Sequence, residues 1–185
     1  MGLEERVNME IISDEQLTEF LATIYGEAAQ STLAAWRAIA SSILNRVGRR
    51  EWRKYKTPLA IIANTGYDAF TERNQPYTHA KRYFQTQAPH DDPRLKELAA
   101  VVTPIYMGWL YGAILPPHDR IPPPFPTIQL YYSPKAQHRL HEQRPDLYHA
   151  YPKWHFDELV EVRVPGAEGD DFKFFAYKTG PGDVA

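Results

Sequence analysis

Three groups of residues in this chain have the types and spacing for chemistry. The first is a single carboxylate on an amphipathic stretch. Leu17, Phe20, Leu21, Ile24 and Ala28 recur at the three-, four- and seven-residue intervals of a buried helical face. Glu27 lies about 80° from the centre of that stripe, on its flank. A carboxylate so placed is half-buried and close to the negative end of the helix dipole. Both conditions disfavour the ionised form and predict a raised pKa, which suits a general acid at neutral pH. An ordinary surface glutamate on a fraying last turn has the same spacing. The second group is Gly66-Tyr67-Asp68-Ala69-Phe70-Thr71-Glu72-Arg73-Asn74. Its rings and carboxylates are the mixture that holds sugars, rings against apolar faces and carboxylates against hydroxyls. The alternative is a turn in which Tyr67 and Phe70 plug the core. The third group is histidine: four of the seven fall between His138 and His155. His138 and His141 flank Arg139-Leu140 and precede Glu142, but the His-x-x-x-His spacing with an intervening Glu is missing. A solvated loop is therefore expected there, with no metal and no cofactor.

The elements that must position these groups can be read from caps and periodicity. Ser13, with Gln16 three residues on, has capping-box spacing and opens the helix that carries Glu27. A second helix is expected from about Thr32 to Val47. Its apolar face is Leu33, Trp36, Ala40, Ile43, Leu44 and Val47, and Gly48 marks its stop. Ala34, Ala35, Ala38 and Ala40 allow close approach, so this is the expected central helix. Asn45 and Arg46 are then internal polar groups, expected to make structural hydrogen bonds. Thr57-Pro58 opens a short helix that Asn64-Thr65-Gly66 ends. Pro76 to Gln87 predicts another, with Tyr77, Ala80, Tyr83 and Phe84 facing inward. Asp92-Pro93 opens the longest candidate, Arg94 to Ala113, with Leu95, Leu98, Val102, Ile105 and Trp109 buried and a kink at Pro104. Leu115 to Pro126 carries six prolines in twelve residues and predicts a stiff extended loop. Val160, Val162 and Val164 alternate with Glu161 and Arg163, Pro165 to Asp170 turn, and Phe172 to Tyr177 return as a hairpin. The expected fold is α+β: one helix-dominated domain over residues 1–185 with a small C-terminal β-hairpin, residues 1–12 being loosely packed.

Ile24-Tyr25-Gly26-Glu27-Ala28, followed some sixteen residues later by Ile43-Leu44-Asn45-Arg46-Val47, resembles the paired motifs of the SleB-type cell-wall hydrolase family. Ile128-Gln129-Leu130-Tyr131-Tyr132-Ser133-Pro134 resembles a further signature of that family, an aromatic pair before a polar residue and proline. The hairpin after Trp154 is similar to the family's terminal strand pair. After the short helix the family carries a Gln-Phe-Ser-like element lining its glycan cleft, and this chain has none. The resemblance implies a lysozyme-like fold, cleavage of peptidoglycan glycan strands, and Glu27 as the catalytic acid. Through it, Tyr131 or Tyr132 becomes a residue facing that acid. A hydrolase of this kind needs a second carboxylate, for which Asp68 and Glu72 are the candidates in the sequence. Separations of about 5 Å predict retention and of about 6.5–9.5 Å inversion. With neither in range, assistance by the substrate's own N-acetyl group gives an anhydro product.

Composition limits the alternatives. The 185 residues are 43% hydrophobic and 24% charged, with a net charge of −2, which leaves no electrostatic footprint for nucleic acid. Arg46, Arg49, Arg50, Arg53 and Lys54 form a local basic run, read as cations at a helix C-terminus. Without cysteine the chain has neither disulfides nor thiol chemistry. No apolar run approaches the ~20 residues of a membrane span, and Met1 to Glu10 lacks the apolar core of a secretory signal. A wall-degrading enzyme of this kind is expected to reach the periplasm or cell wall after processing, phage lysis or injection into a rival. An injected antibacterial toxin further implies a cognate inhibitor protein covering Glu27, the Tyr67–Glu72 loop and Tyr131-Tyr132. Two other functions fit the same residues: a non-catalytic wall-binding protein in which Glu27 is structural, and a metal-dependent peptidase using the C-terminal histidines.

Overall fold

The computed structural model describes residues 14–65, 67, 73–86, 92–114 and 123–178. It is α+β and helix-dominated. Helix α1 spans Asp14–Ala28, α2 Leu33–Arg46, α3 Pro58–Asn64, α4 Gln75–Thr86 and α5 Pro93–Ile114. Strand β1 (Leu130–Tyr132) leads into α6 (Pro134–Gln143), and β2 (Leu159–Val162) and β3 (Lys173–Tyr177) follow. The starts of α2 and α3 are set by threonines: Thr32 Oγ1 accepts from Ala35 N and Thr57 Oγ1 from Ala60 N. The side chain of Asp92 does the same for α5, accepting from Arg94 N at 3.0 Å and Leu95 N at 3.1 Å. Helix α5 runs through Pro104 as one helix. Its fully buried residues are Leu95, Leu98, Val102 and Tyr106, while Ile105 and Trp109 are only half-buried.

Two expectations change. The C-terminal hairpin is the outer part of a three-stranded antiparallel sheet, ordered β1-β3-β2. Strand β3 lies between the other two, pairing Tyr131 with Phe174 and Val162 with Phe174. Strand β1 comes from the Ile128–Pro134 signature, too short a run for strand periodicity to show. The histidine segment is only in part a loop: His149 and His155 lie in irregular structure, but its first third is helical. His138 and His141 lie on α6, whose N-cap is Ser133, accepting from Ala136 N, with Pro134 behind it at the first helical position. None of the residues of α6 is buried, so no apolar stripe marks it. His138 pairs with Glu142 at 3.1 Å, and His141 Nδ1 bonds to the Tyr148 carbonyl at 2.7 Å.

The core is continuous from the helices into the sheet. Trp36, Ile39 and Ile43 of α2 are completely buried, as are Phe20 and Ile24 of α1, Ile61 of α3 and Ile128 before β1. Helix α1 packs chiefly on α4, and α2 on α5. A buried polar latch fixes the first of these pairs. Glu19, only 5% exposed, accepts the Tyr77 hydroxyl and lies 2.6 Å from Lys81 Nζ. A buried carboxylate needs such partners to remain in the interior. Asn45 ties α2 to the sheet: its Nδ2 donates to the carbonyls of Phe125 (2.7 Å) and Ile128 (2.8 Å). At the other end of α2, Asp170 of the β2–β3 turn accepts from Thr32 N at 3.0 Å and from Thr32 Oγ1 at 2.5 Å. That turn lies against the helix closely: a Cβ added to Gly166, where φ is +86°, would come within 3.3 Å of Ala34 Cβ.

Candidate active site

Glu27 sits in the last turn of α1, and that turn is held from three directions. The Ala28 carbonyl accepts the Trp36 indole N–H at 2.7 Å and Ser31 N at 3.0 Å. The Arg94 guanidinium donates to the Ser31 carbonyl at 2.6 Å and lies 4.2 Å from the Trp36 ring centroid. Asn74 donates to the Gly26 carbonyl at 3.3 Å, while its Oδ1 accepts from Tyr77 N at 2.9 Å at the start of α4. Carbonyls left over at a helix C-terminus are thereby satisfied without a glycine cap, and the cation offsets the negative dipole end. The half-buried Glu27 is consequently presented on a fixed backbone.

It opens onto a cleft of about 870 Å³. On the helical side the lining is Gly26, Glu27, Arg46, Thr65, Tyr67 and Asn74; Glu51 and Trp52 come from a 3-10 turn at Arg50–Trp52. The lining continues with Leu130, Tyr131 and Tyr132 of β1, Phe172 just before β3, Tyr177 at its end, and Gln137, Arg139, Tyr148 and Trp154 from α6 and the segment after it. Glu27, Tyr67, Tyr131 and Tyr132 therefore share one cavity, as the sequence anticipates. Asp68, Phe70 and Glu72 lie outside the described residues.

The Tyr67 and Tyr131 rings stand 6.1 Å apart, and their hydroxyls are enclosed without a hydrogen-bond partner of normal geometry among the described residues. Burial pushes the Tyr131 hydroxyl well above the ordinary tyrosine pKa, and the neighbouring Glu27 carboxylate pushes it the same way. Burial also raises Tyr67, with Arg46 and Ser42 opposing and Glu27 adding to the rise. Both phenols stay protonated donors beside the carboxylate. Arg46 completes the group. It is 5% exposed; its Nε donates to the Gln129 carbonyl and its Nη1 to Thr65 Oγ1 at 3.2 Å. Its guanidinium lies 5.1 Å from the Trp52 centroid and 5.3 Å from that of Tyr67. So Arg46 makes the structural hydrogen bonds expected of it and also forms cleft wall.

No family model, curated protein or solved structure matches the chain. The functional reading therefore rests on the motifs and on the geometry of this cleft. Several lining residues were invisible in the sequence. Glu51 accepts the Tyr177 hydroxyl across 126 positions, a contact that no local spacing announces. Arg139 likewise falls in the stretch whose sequence predicts a solvated loop.

Proposed function

We propose that this chain is a peptidoglycan glycosidase of lysozyme-like type, a muramidase or lytic transglycosylase, with Glu27 as general acid. The observation carrying this reading is a half-buried carboxylate on a fixed helix end, opening onto a large cleft lined with aromatic and hydrogen-bonding side chains. Such a cleft suits a polymer of sugar rings. Glu27 would protonate the glycosidic oxygen as the C1–O bond breaks and oxocarbenium character develops. The two buried phenols interact with the carboxylate and stay protonated, and the Arg46 guanidinium lies over the Tyr67 ring. Asp68 and Glu72 stay the sequence candidates for a second carboxylate. Glu51 joins them because it lines the same cleft.

Digestion of purified sacculi, followed by mass spectrometry of the released ends, tests the reading. Wild type should release muropeptides with new reducing or anhydro sugar ends. Glu27→Gln should slow release by about 10²–10⁴-fold, the usual contribution of a general acid, while its circular dichroism stays unchanged. New amino-acid termini in place of sugar ends, or a Gln variant within threefold of wild type, would remove the proposal.

A further inference from the structure

The cleft has a second side whose composition differs from that around Glu27. Of the six exposed large hydrophobic side chains among the described residues, five fall between Leu147 and Val160. In the same segment Tyr148, Pro152 and Trp154 line the cleft. Trp154 is locked into an aromatic group. Its ring stands edge-on to Tyr132 at 5.7 Å and to Phe175 at 5.8 Å, with Phe156 also at 5.8 Å. Tyr132 in turn stacks on Phe175 at 6.0 Å. The segment is tied to α6 through backbone groups. Gln137 Nε2 donates to the His149 carbonyl at 2.5 Å, and Tyr148 N donates to the Arg144 carbonyl at 2.9 Å. The rings are therefore in place before any ligand arrives, and ordering them costs little on binding.

We propose that Tyr148, Trp154 and Tyr132 form a stacking platform for sugar rings of the strand beyond the pair being cleaved, a secondary site for β-1,4-linked N-acetylhexosamine units. This inference rests on the glycosidase reading and names what holds the rest of its substrate. A pyranose offers a flat C–H face to an aromatic ring and a rim of hydroxyl and acetamido groups. Here the rings are accompanied by Gln137 and Arg139, which border the same cavity and suit such a rim. A protein partner would be better matched by an uninterrupted apolar face. The platform also shares its cavity with the general acid: Glu27, Tyr131, Tyr132, Tyr148 and Trp154 all line it, although Tyr131 and Tyr132, consecutive in β1, belong to opposite faces of the strand. A strand held at Glu27 would thus extend over Trp154.

The test uses the full chain carrying Glu27→Gln, titrated with N-acetylglucosamine oligomers of two to six units by calorimetry and tryptophan fluorescence. Affinity should rise with length. Trp154→Ala should remove most of that rise, weakening the hexamer by about three- to tenfold while the dimer is little changed. Trp154→Phe should restore much of it. Trp154 packs on three other rings, so Tyr148→Ala, at a 36% exposed position, is the parallel variant that leaves the aromatic group standing. An unchanged length dependence in Trp154→Ala and Tyr148→Ala overturns the platform. So does the absence of binding at every length, or a self-associated state in light scattering that covers this face. Sugar ends released from sacculi alongside such a result would sink the platform alone. Length-dependent binding with no sugar ends released would spare the platform and sink the glycosidase.

Discussion

At the scale of single residues, the unusual feature of the site is two buried phenols that lack normal hydrogen bonds, both beside one carboxylate. Burying a hydroxyl without a well-formed hydrogen bond costs about 1–3 kcal/mol, and the polar neighbour of the Tyr131 hydroxyl is the Glu27 carboxylate. Tyr131→Phe separates the stability role from the functional one because they predict opposite signs. Removing the hydroxyl should leave the midpoint of urea unfolding unchanged or raise stability by up to about 1 kcal/mol. If the phenol donates to Glu27 or to the substrate during reaction, the rate of sacculus digestion should fall about tenfold or more, as for lost transition-state hydrogen bonds. A variant that digests at the wild-type rate would leave Tyr131 as packing. Glu27 and the tyrosine pair were legible because each lies in a short local pattern. Glu51, Trp52 and Tyr177 were not, since folding alone brings residue 51 to residue 177.

Among the elements, those with a cap and an apolar stripe were found within a residue or two, and those lacking one of these signals were missed. Thr57-Pro58, Asp92-Pro93 and Ser133-Pro134 carry the same start signal, and all three open helices. Only after the third does the sequence predict a loop, because α6 buries none of its residues and has no stripe to confirm the cap. Asp92 gives the cap a measurable consequence. Partial burial acts to raise its pKa, but His79 and the N–H groups of Leu95 and Arg94 outweigh it, and the net direction is down. A carboxyl whose folded pKa is depressed adds stability that is present above its unfolded value, near pH 4, and lost as pH falls through the folded value. Asp92→Ala should thus cost about 1 kcal/mol near pH 7, and the gap to wild type should narrow towards pH 3. A gap in urea stability that stays constant between those pH values would show that the charge on Asp92 contributes nothing to the cap.

For the molecule as a whole, the cleft lies where the helices meet the sheet, since Glu27 of α1 and Arg46 of α2 line it together with Tyr132 of β1 and Trp154. Polar ties and one continuous core hold that meeting in register. Asn45 takes two carbonyls ahead of β1, Arg46 takes the Gln129 carbonyl, and Asp170 caps the start of α2 through Thr32. Ile128 and Phe174 belong to the same buried cluster as Ile43 and Trp36. Helices and sheet should accordingly unfold together, as expected of a single domain, with the calorimetric enthalpy equal to the van't Hoff enthalpy. Asp170 is the tie that can be cut with least harm to the core, because it is a turn residue at the exposed end of the contact. Asp170→Ala removes an acceptor from the α2 N-terminus and from the Thr32 hydroxyl, a loss of about 1–2 kcal/mol. The whole transition should move to lower temperature while remaining single and equally steep. A calorimetric trace that splits, with the helices melting at the wild-type temperature and the sheet below it, would mean that the cleft joins two independently stable parts. In that case activity should fall along the lower transition, because losing the sheet would remove Tyr131 from beside Glu27 while α1 stayed folded.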